Sequence, residues 1–208
     1  MRCLIVSSDG TEIISGSYDN TLRRWSVQTG QSLQVYQGHT GFVMCVALLS
    51  NGNFISGSWD NSIKVWDRLT GACVHTLAGH TSVVWGITVC PNGDVVSASV
   101  DRSLRVCRVA NAPTVSYVCH QVLANAHSGG VLCVNTVPGS DDIISGGDMG
   151  DTTVKLWRRA NLTADYTCVR TFAGHTAGIR SLVVMDNQNI ASNKFSSKKQ
   201  VTNMIVHA

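Results

Sequence analysis

The sequence predicts an all-β fold built from repeated four-stranded sheets, and three observations lead to this prediction. Charged residues make up only 14% of the 208-residue chain, well below the roughly 25% of an average globular protein, so the charged side chains that helical surfaces need are missing. Apolar residues follow no helical period and occur instead in short runs between tight turns. One sequence pattern also recurs along the chain, which indicates copies of a single structural unit.

Two markers define the repeat. The first is a run that closes at positions 25, 66, 107 and 157 and reads ISGSYDNTLRRW, ISGSWDNSIKVW, VSASVDRSLRVC and ISGGDMGDTTVKLW. The second is a Gly-His or Ala-His pair that precedes the later copies, at His39, His80, His127 and His175. Successive copies are 41, 41 and 50 residues apart by the first marker and 41, 47 and 48 by the second. Because two independent markers keep similar periods, we predict about five copies of one sheet-forming unit.

Each unit is expected to form four short antiparallel strands, and the second unit shows why. The apolar run Val43–Ala47 predicts a first strand, and Asn51-Gly52 then suits a two-residue hairpin turn with positive φ. A second strand leads to the turn at Asp60, and a third strand ends at Trp66. Thr70-Gly71 marks the next turn, after which a fourth strand leads to the following Gly-His pair.

The period and the markers resemble those of the WD40 repeat family, whose members fold as β-propellers with one sheet per blade. Trp66-Asp67 is a literal Trp-Asp pair, and Trp25-Ser26 and Trp157-Arg158 are degenerate versions of it. The resemblance implies blades at about 1–37, 38–78, 79–125, 126–173 and from 174 to 192 onward, followed by a divergent segment at 193–208. The fifth unit keeps His175 and Ser192 but loses the Asp and the Trp. We therefore expect an incomplete or open propeller of about five blades whose last blade is degenerate.

A His, a Ser, an Asp and a Trp recur at similar offsets in successive units. These residue types could suggest a hydrolase triad, but a catalytic site is needed once, and the GxSxG context is absent. The resemblance implies instead a structural hydrogen-bonded chain from the Asp through the His and the Ser to the indole of the Trp. The predicted network residues are Ser15, Asp19 and Trp25 in the first unit, His39, Ser56, Asp60 and Trp66 in the second, His80, Ser97 and Asp101 in the third, and His127, Ser145, Asp151 and Trp157 in the fourth.

The resemblance also implies a face on which partners bind, formed by the Gly-His loops and the Asp turns. The contact positions there are the residue before the turn Asp and the residues three and five past the His. These positions predict a partner-binding set of Tyr18, Phe42, Met44, Trp59, Val83, Trp85 and Arg180, with Val100 and Gly178 at the remaining two. Four of these residues are aromatic, and aromatic residues, Met and Arg are enriched in protein interfaces. The leading hypothesis is a non-catalytic scaffold for a protein or peptide ligand, and the alternative is that some of these side chains pack between blades.

Narrower functional hypotheses rest on shorter matches. The segments SGSWDNSIKVW, AGHTSVVWGITV and TFAGHTAGIRSLVV resemble the propeller of the phospholipase A2-activating protein group, which implies a ubiquitin-binding adaptor of the ubiquitin–proteasome pathway. A substrate receptor of a ubiquitin ligase is a second alternative, although no F-box-like helical segment accompanies the repeats. An enzyme is not favoured, because acidic residues are sparse and lie mostly in turns. Nucleic-acid binding is not expected either, because the net charge is only +3 and Lys194, Lys198 and Lys199 form a small basic group.

The spacing of the cysteines and the hydropathy of the chain predict whether it binds a cofactor and in which compartment it lies. Eight cysteines occur without CxxC spacing, so we expect no metal or other cofactor, and free thiols buried as small apolar residues in a reducing, cytoplasmic or nuclear compartment. No apolar stretch is long enough to span a membrane, and residues 1–8 are too short for a secretory signal. The chain starts on an innermost strand, so an open blade edge is expected to favour self-association.

Overall fold

The computed structural model describes residues 1–112, 114–184 and 190–194. Within these residues the chain forms five separate antiparallel sheets, and it contains no helix that could cross a bilayer. The innermost strands of successive sheets pack side by side around a central cavity. This arrangement is an incomplete, unclosed β-propeller, which confirms the predicted fold class.

Each sheet follows the chain from its innermost strand outward. The first sheet comprises β1 (Cys3–Val6), β2 (Glu12–Gly16), β3 (Leu22–Ser26) and β4 (Ser32–Tyr36). The second comprises β5 (Val43–Leu48), β6 (Phe54–Ser58), β7 (Ile63–Trp66) and β8 (Cys73–Leu77). The third comprises β9 (Val84–Val89), β10 (Val95–Ser99), β11 (Leu104–Ala112) and β12 (Thr114–Leu123). The fourth comprises β13 (Val131–Thr136), β14 (Ile143–Gly147), β15 (Val154–Arg158) and β16 (Thr167–Phe172). In the fifth, the described residues form β17 (Ile179–Val184) and β18 (Ile190–Lys194).

The hairpin between the first two strands of a sheet depends on glycine. Gly10, Gly52 and Gly93 have φ values of 71°, 85° and 87°, a left-handed conformation that side chains with a Cβ rarely adopt. A Cβ at Gly52 would meet no atom within 4 Å, so the backbone conformation rather than lack of space calls for glycine there.

A β-bulge interrupts four of the innermost strands near their first residues. The strand register shifts between Val43 and Cys45 in β5, and corresponding shifts occur in the pairing of β9, β13 and β17. A bulge places one extra residue on one strand and re-aims its side chain. The bulged residues are Met44, Trp85, Leu132 and Arg180, and each lines the central cavity.

The hydrophobic core lies between neighbouring sheets rather than inside any one of them. Between the first two sheets, the fully buried indole of Trp66 packs edge-on against Tyr36, with ring centroids 5.9 Å apart, and Phe54 lies beside both rings. Comparable clusters join the second sheet to the third, the third to the fourth and the fourth to the fifth. Each blade therefore needs its neighbour to bury its apolar face.

A buried ion-pair cluster also joins the third and fourth sheets. The carboxylate of Asp94 is fully buried and accepts hydrogen bonds from Arg108 of its own sheet at 2.8 Å and from Arg159 after β15 at 2.8 Å. Arg159 also pairs with Asp141 at 3.0 Å and lies over the ring of Tyr166, 5.0 Å from its centroid. Because Asp94 and Arg159 are desolvated together, each depends on the other for a charged partner.

The cysteines correct one prediction. Cys107 and Cys119, opposite each other in β11 and β12, form a disulfide, so the prediction of free thiols is wrong for this pair. The two cysteines face each other because of the register between the two strands. Their sequence separation of 12 residues does not by itself reveal that register. The other six cysteines are free. Burial raises the pKa of Cys133 to about 12 and that of Cys90 to about 11, which keeps both thiols protonated.

The predicted divergent segment at 193–208 lies almost wholly outside the described residues. Only positions 193 and 194 fall within them, at the end of β18. Lys198 and Lys199, part of the small basic group noted in the sequence, lie outside.

Candidate partner-binding face

Three exposed aromatic side chains form a continuous stripe across the first two blades. The ring of Phe42 lies 4.9 Å from that of Tyr18 and 5.1 Å from that of Trp59, between centroids. Tyr18 and Trp59 are about half exposed, at 53% and 50%, and Phe42 is 37% exposed. Tyr18 precedes the turn residue Asp19, and Trp59 stands at the same place before Asp60. We call Tyr18, Phe42 and Trp59 the aromatic stripe.

The backbone holds this stripe in place through short contacts between the loop and the turn of the second blade. The amide of Trp59 donates to the carbonyl of Phe42 at 2.9 Å, and Ser58 Oγ donates to the carbonyl of Gly41 at 3.0 Å. A Cβ on Gly41 would lie 2.7 Å from the amide nitrogen of Asp60, so this approach requires glycine. The loop and the turn therefore form one rigid surface.

The innermost strands line a central cavity with a volume of about 230 Å³, and each blade contributes one lining residue at the level of the strand bulges. We call this set the mouth ring: it consists of Arg2, Met44, Trp85, Leu132 and Arg180. The guanidinium carbons of Arg2 and Arg180 lie 5.2 Å and 5.8 Å from the centroid of Trp85. Burial and then the positive charge of Arg2 lower the pKa of Arg180, while Tyr18 of the stripe raises it. Stripe and mouth ring are thus close enough to interact.

The sequence-predicted binding residues divide between these two groups. Tyr18, Phe42 and Trp59 lie in the stripe, whereas Met44, Trp85 and Arg180 lie in the mouth ring. Met44 is only 3% exposed, so it forms part of the cavity wall rather than an outer surface.

The remaining predicted positions belong to neither group. Val83 and Val100 are half-buried, and the amide of Val100 donates to the carbonyl of Val83 at 3.1 Å. Gly178 is buried against the backbone of Asp148 and Met149.

Sequence reasoning missed two members of the mouth ring. Arg2 has no preceding His in its unit from which to count, although it directly precedes Cys3, which pairs with Gly16 as Cys45 pairs with Gly57. Leu132 stands five residues past His127, so counting within the fourth unit would have found it.

Behind the stripe, the second blade contains a four-residue hydrogen-bonded chain. Nδ1 of His39 donates to Asp60 at 2.7 Å, because a carboxylate can only accept. Nε2 of His39 lies 2.8 Å from Ser56 Oγ, and the same oxygen accepts the indole N–H of Trp66 at 2.8 Å. Ser56 Oγ therefore links the imidazole of His39 to the indole of Trp66. Burial raises the pKa of Asp60, but the hydrogen bonds from His39 and Ser62 lower it by more. The pKa of this carboxyl therefore lies well below its usual range.

The third blade repeats the chain without its Trp. His80 lies 2.8 Å from both Asp101 and Ser97, and Cys107 of the disulfide takes the place of the Trp. The guanidinium of Arg105 lies against Gly79 and donates to its carbonyl at 2.6 Å. In the second blade, the Trp66 ring lies against Gly38 at the equivalent position. Arg105 therefore covers a glycine that the absent indole would otherwise cover.

The other blades keep parts of the same chain. In the fourth, Ser145 Oγ lies 2.8 Å from both His127 and the Trp157 indole nitrogen, and Asp151 lies 3.1 Å from His127. In the first, the indole of Trp25 donates to Ser15 at 2.8 Å, and Asp19 accepts from Thr21. In the fifth, His175 and Ser192 are hydrogen bonded.

The arrangement of these polar groups does not present reactive atoms to solvent. The side chains of His39, His80 and His127 are at most 1% exposed, and each ring is held between an Asp and a Ser. Among the described residues, no group of three or more His, Cys, Asp or Glu could hold a metal ion. What the loop face does expose is an aromatic surface next to two guanidinium groups.

These features define a class of protein: a propeller of repeated sheets whose blades share a buried polar chain and carry their exposed aromatic groups on one loop face. The model of the family described as "WD domain, G-beta repeat" matches residues 1–26, 30–67, 71–107 and 117–158, which is more than half of the chain. The chain belongs to the WD40 family. WD40 domains generally serve as scaffolds that bind proteins or peptides.

Similarity to curated proteins is confined to short segments. The chain is 35% identical over 51 residues to F-box/WD repeat-containing protein 10 of Mus musculus and 40% identical over 52 residues to Autophagy-related protein 16 of Arabidopsis thaliana. It is 32% identical over 65 residues to U3 small nucleolar RNA-interacting protein 2 of Mus musculus. These matches cover 24% to 26% of this chain and 5% to 14% of the relatives' lengths. They give no support to the narrower resemblance to the phospholipase A2-activating protein group.

Proposed function

We propose that this chain is a non-catalytic scaffold that captures a protein or peptide on the face carrying the aromatic stripe. The observation that carries the proposal is the exposure of Tyr18, Phe42 and Trp59 in direct ring contact. Aromatic side chains supply much of the energy of protein interfaces, and clusters of them on a rigid surface are typical of binding sites.

The polar chain of the second blade supports this role. His39 and Asp60 join the Gly-His loop to the Asp turn, and Thr40 donates its amide to Asp60 at 3.0 Å. Phe42 and Trp59 stand on these two segments. Because the network fixes both segments before a partner arrives, little conformational entropy is lost on binding.

A crosslinking experiment tests this function. A photoreactive aromatic amino acid replaces Phe42, and the crosslinked partner is recovered and identified by mass spectrometry. The affinity of that partner is then measured for the wild-type protein and for Trp59→Ala. We expect Trp59→Ala to weaken binding by about thirtyfold or more, as removal of an interface hot spot does.

Leu69→Ala is the matched control. Leu69 is 68% exposed and lies in the turn after β7, at the opposite end of the same blade. This variant should bind the partner with wild-type affinity. Equal losses in Trp59→Ala and Leu69→Ala would contradict the proposal, and so would loss of the near-ultraviolet circular dichroism spectrum in Trp59→Ala, because Trp59 would then belong to the core.

Ubiquitin is a candidate partner from the narrower resemblance noted in the sequence. Titration of isotopically labelled ubiquitin with this protein, followed by nuclear magnetic resonance, tests it. Chemical-shift changes that vanish with Trp59→Ala would support an adaptor or ligase-receptor function in the ubiquitin pathway. An unchanged spectrum would exclude ubiquitin and leave the scaffold function in place.

A further inference from the structure

The disulfide of the third blade lies at a register position that three blades share. Cys107 of β11 stands where β7 has Trp66 and β15 has Trp157. In all three blades the residue opposite this position on the outermost strand is a cysteine: Trp66 faces Cys73, Cys107 faces Cys119, and Trp157 faces Cys168. A Cys instead of a Trp at position 107 therefore places two sulfur atoms opposite each other, whereas Cys73 and Cys168 are free.

The disulfide ties the third strand of its sheet outward, whereas the indoles tie it inward. In the second and fourth blades the indole N–H donates at 2.8 Å to a serine of the second strand: Trp66 to Ser56 and Trp157 to Ser145. In the third blade Cys107 is bonded instead to Cys119 of the outermost strand, β12. The attachment of β12 to its own sheet is therefore covalent as well as hydrogen bonded.

The strand that carries Cys119 also contacts both neighbouring blades. The ring of Tyr117, which is 8% exposed, lies 5.6 Å from that of His75 in β8, between centroids. On the other side, the Gln121 side chain exchanges two hydrogen bonds with the backbone of Tyr166 in the fourth blade, at 3.0 Å and 2.9 Å. Cys119 lies between these two contacts in sequence, so the disulfide anchors a strand on which three blades meet.

The two halves of the disulfide differ in their exposure. Cys107 is 1% exposed and belongs to the core between the second and third sheets, whereas Cys119 is half-buried at the edge of that core. Val118 and His120, on either side of Cys119, are exposed. A thiol reductant can therefore approach the disulfide from the side of Cys119.

The reaction that opens such a bond is thiol–disulfide exchange with a dithiol. One thiolate of the dithiol bonds to Cys119 Sγ, the bond to Cys107 breaks, and the Cys107 sulfur leaves as a thiolate that takes up a proton. The second thiolate of the dithiol then attacks the reductant sulfur of the mixed disulfide and releases Cys119 as a thiolate, which is protonated in turn. Two electrons pass to the protein, which gains two thiols, and the dithiol becomes an intramolecular disulfide.

We propose that the Cys107–Cys119 disulfide is a redox-controlled tie on β12. Reduction by a dithiol removes the covalent attachment of the strand and loosens its contacts with the second and fourth blades. Because β12 contains no residue of the aromatic stripe or of the mouth ring, this inference does not depend on the proposed scaffold function.

Hydrogen exchange of the whole chain, with and without dithiothreitol, tests the proposal. We expect peptides covering residues 117–123 of β12 to exchange at least about tenfold faster in the reduced protein, because a covalent loop no longer restricts the opening of the strand. Peptides covering β5 and β6, which contain no disulfide, should change by less than about twofold. Unchanged exchange in β12 would overturn the proposal. An equal increase in both regions would overturn it as well, because the bond would then stabilise the whole array.

Thiol labelling measures the redox change itself. The folded protein is incubated with either oxidised glutathione or dithiothreitol, and a maleimide added in denaturant then marks the free thiols for mass spectrometry. Cys107 and Cys119 should be blocked after the first treatment and labelled after the second. Labelling after both treatments would show that the bond does not form, and labelling after neither would show a crosslink that does not respond to a dithiol. Either result would contradict the proposal.

Cys119→Ser and Cys168→Ser form a matched pair of variants. Cys119→Ser removes the disulfide, so β12 should exchange at the fast rate with or without dithiothreitol. Cys168→Ser changes the equivalent cysteine of the fourth blade, which is exposed and free, and should keep the wild-type response. A response that survives in Cys119→Ser, or is lost in Cys168→Ser, would overturn the proposal. Thermal unfolding verifies that both variants are folded, and if Cys119→Ser is not, the comparison of oxidised and reduced wild-type protein decides.

Discussion

At the scale of single residues, the polar chain shows how buried polar groups become structural. Ser56 Oγ stands between an indole N–H and a histidine nitrogen, and Asp60 takes four hydrogen bonds from His39, Thr40 and Ser62. In the second blade each of these polar atoms has a particular partner, so removal of one leaves another buried without a hydrogen bond. This interdependence explains why the same residue types recur in the same positions.

The histidines of this chain predict a loss of stability in mild acid. Burial lowers the pKa of His80 and His127, although Asp101 and Asp151 oppose the shift. The folded protein therefore binds fewer protons than the unfolded chain once the pH falls through the unfolded value of about 6.5. We expect the free energy of unfolding to fall between about pH 7 and pH 5, by at most about 1.4 kcal/mol per pH unit for each histidine.

Urea unfolding at several pH values measures this loss. His80→Asn should flatten the pH dependence, whereas His120→Asn, which alters an exposed histidine, should not. Burial raises the pKa of Asp101, but the hydrogen bonds from Ser103 and His80 lower it by more, so that the pKa falls to about 2. Its contribution is present above the unfolded value of about 3.9 and is lost as the pH falls toward about 2, which adds a second decline. A free energy of unfolding that stays constant from pH 7 to pH 5 would refute this account.

At the scale of strands and sheets, polar ties complement the apolar contacts between blades. Asp94 joins the third blade to the fourth through Arg159, and Glu12 joins the first to the second through Arg68 at 2.7 Å. In both cases the same carboxylate also pairs with an arginine of its own blade: Asp94 pairs with Arg108, and Glu12 pairs with Arg24. We expect such ties to help fix how two sheets are oriented.

Asp94→Asn tests the importance of such a tie. The change leaves Arg159, whose side chain is 2% exposed, without its charged partner on the third blade. We expect it to lower the free energy of unfolding by about 3 kcal/mol or more, as for one broken partner of a buried pair. Asp142→Asn is the control, because its partner Arg158 is 59% exposed, and it should cost at most about 1 kcal/mol. Similar costs in urea unfolding for both variants would show that burial does not decide the outcome.

At the scale of the whole molecule, the array should differ in stability along its length. The innermost strands differ in burial: β9 of the third sheet has four buried residues out of six, whereas β17 of the fifth sheet has two out of six. The amides of β17 should therefore open more readily.

Hydrogen exchange followed by mass spectrometry measures this difference. We expect peptides covering β17 and β18 to exchange at least about tenfold faster than peptides covering β9 and β10, which are buried between two neighbours. Both regions come from the same sample, so each experiment contains its own reference. Equal protection would show that the array unfolds as one cooperative unit.

The sequence predicted the fold class because its markers fall at turns and network residues that most copies share. It also indicated Tyr18, Phe42 and Trp59, since their positions follow from the offsets within a unit. It could not indicate Arg2, which lies before the first marker. The disulfide of Cys107 and the tie from Asp94 to Arg159 depend on which residues face each other after folding, and no local pattern records that.

The bulge on the innermost strands has a consequence for how such a molecule can change its ligand. It sends one side chain per blade into a common opening, while the strands on either side keep their pairing. In this chain those side chains are Met44, Trp85, Leu132 and Arg180, joined by Arg2 at the same level. Replacing Arg2, Trp85, Leu132 or Arg180 would change the shape and charge of the opening while the strand pairing stays the same, whereas Met44 is 3% exposed and also belongs to the core.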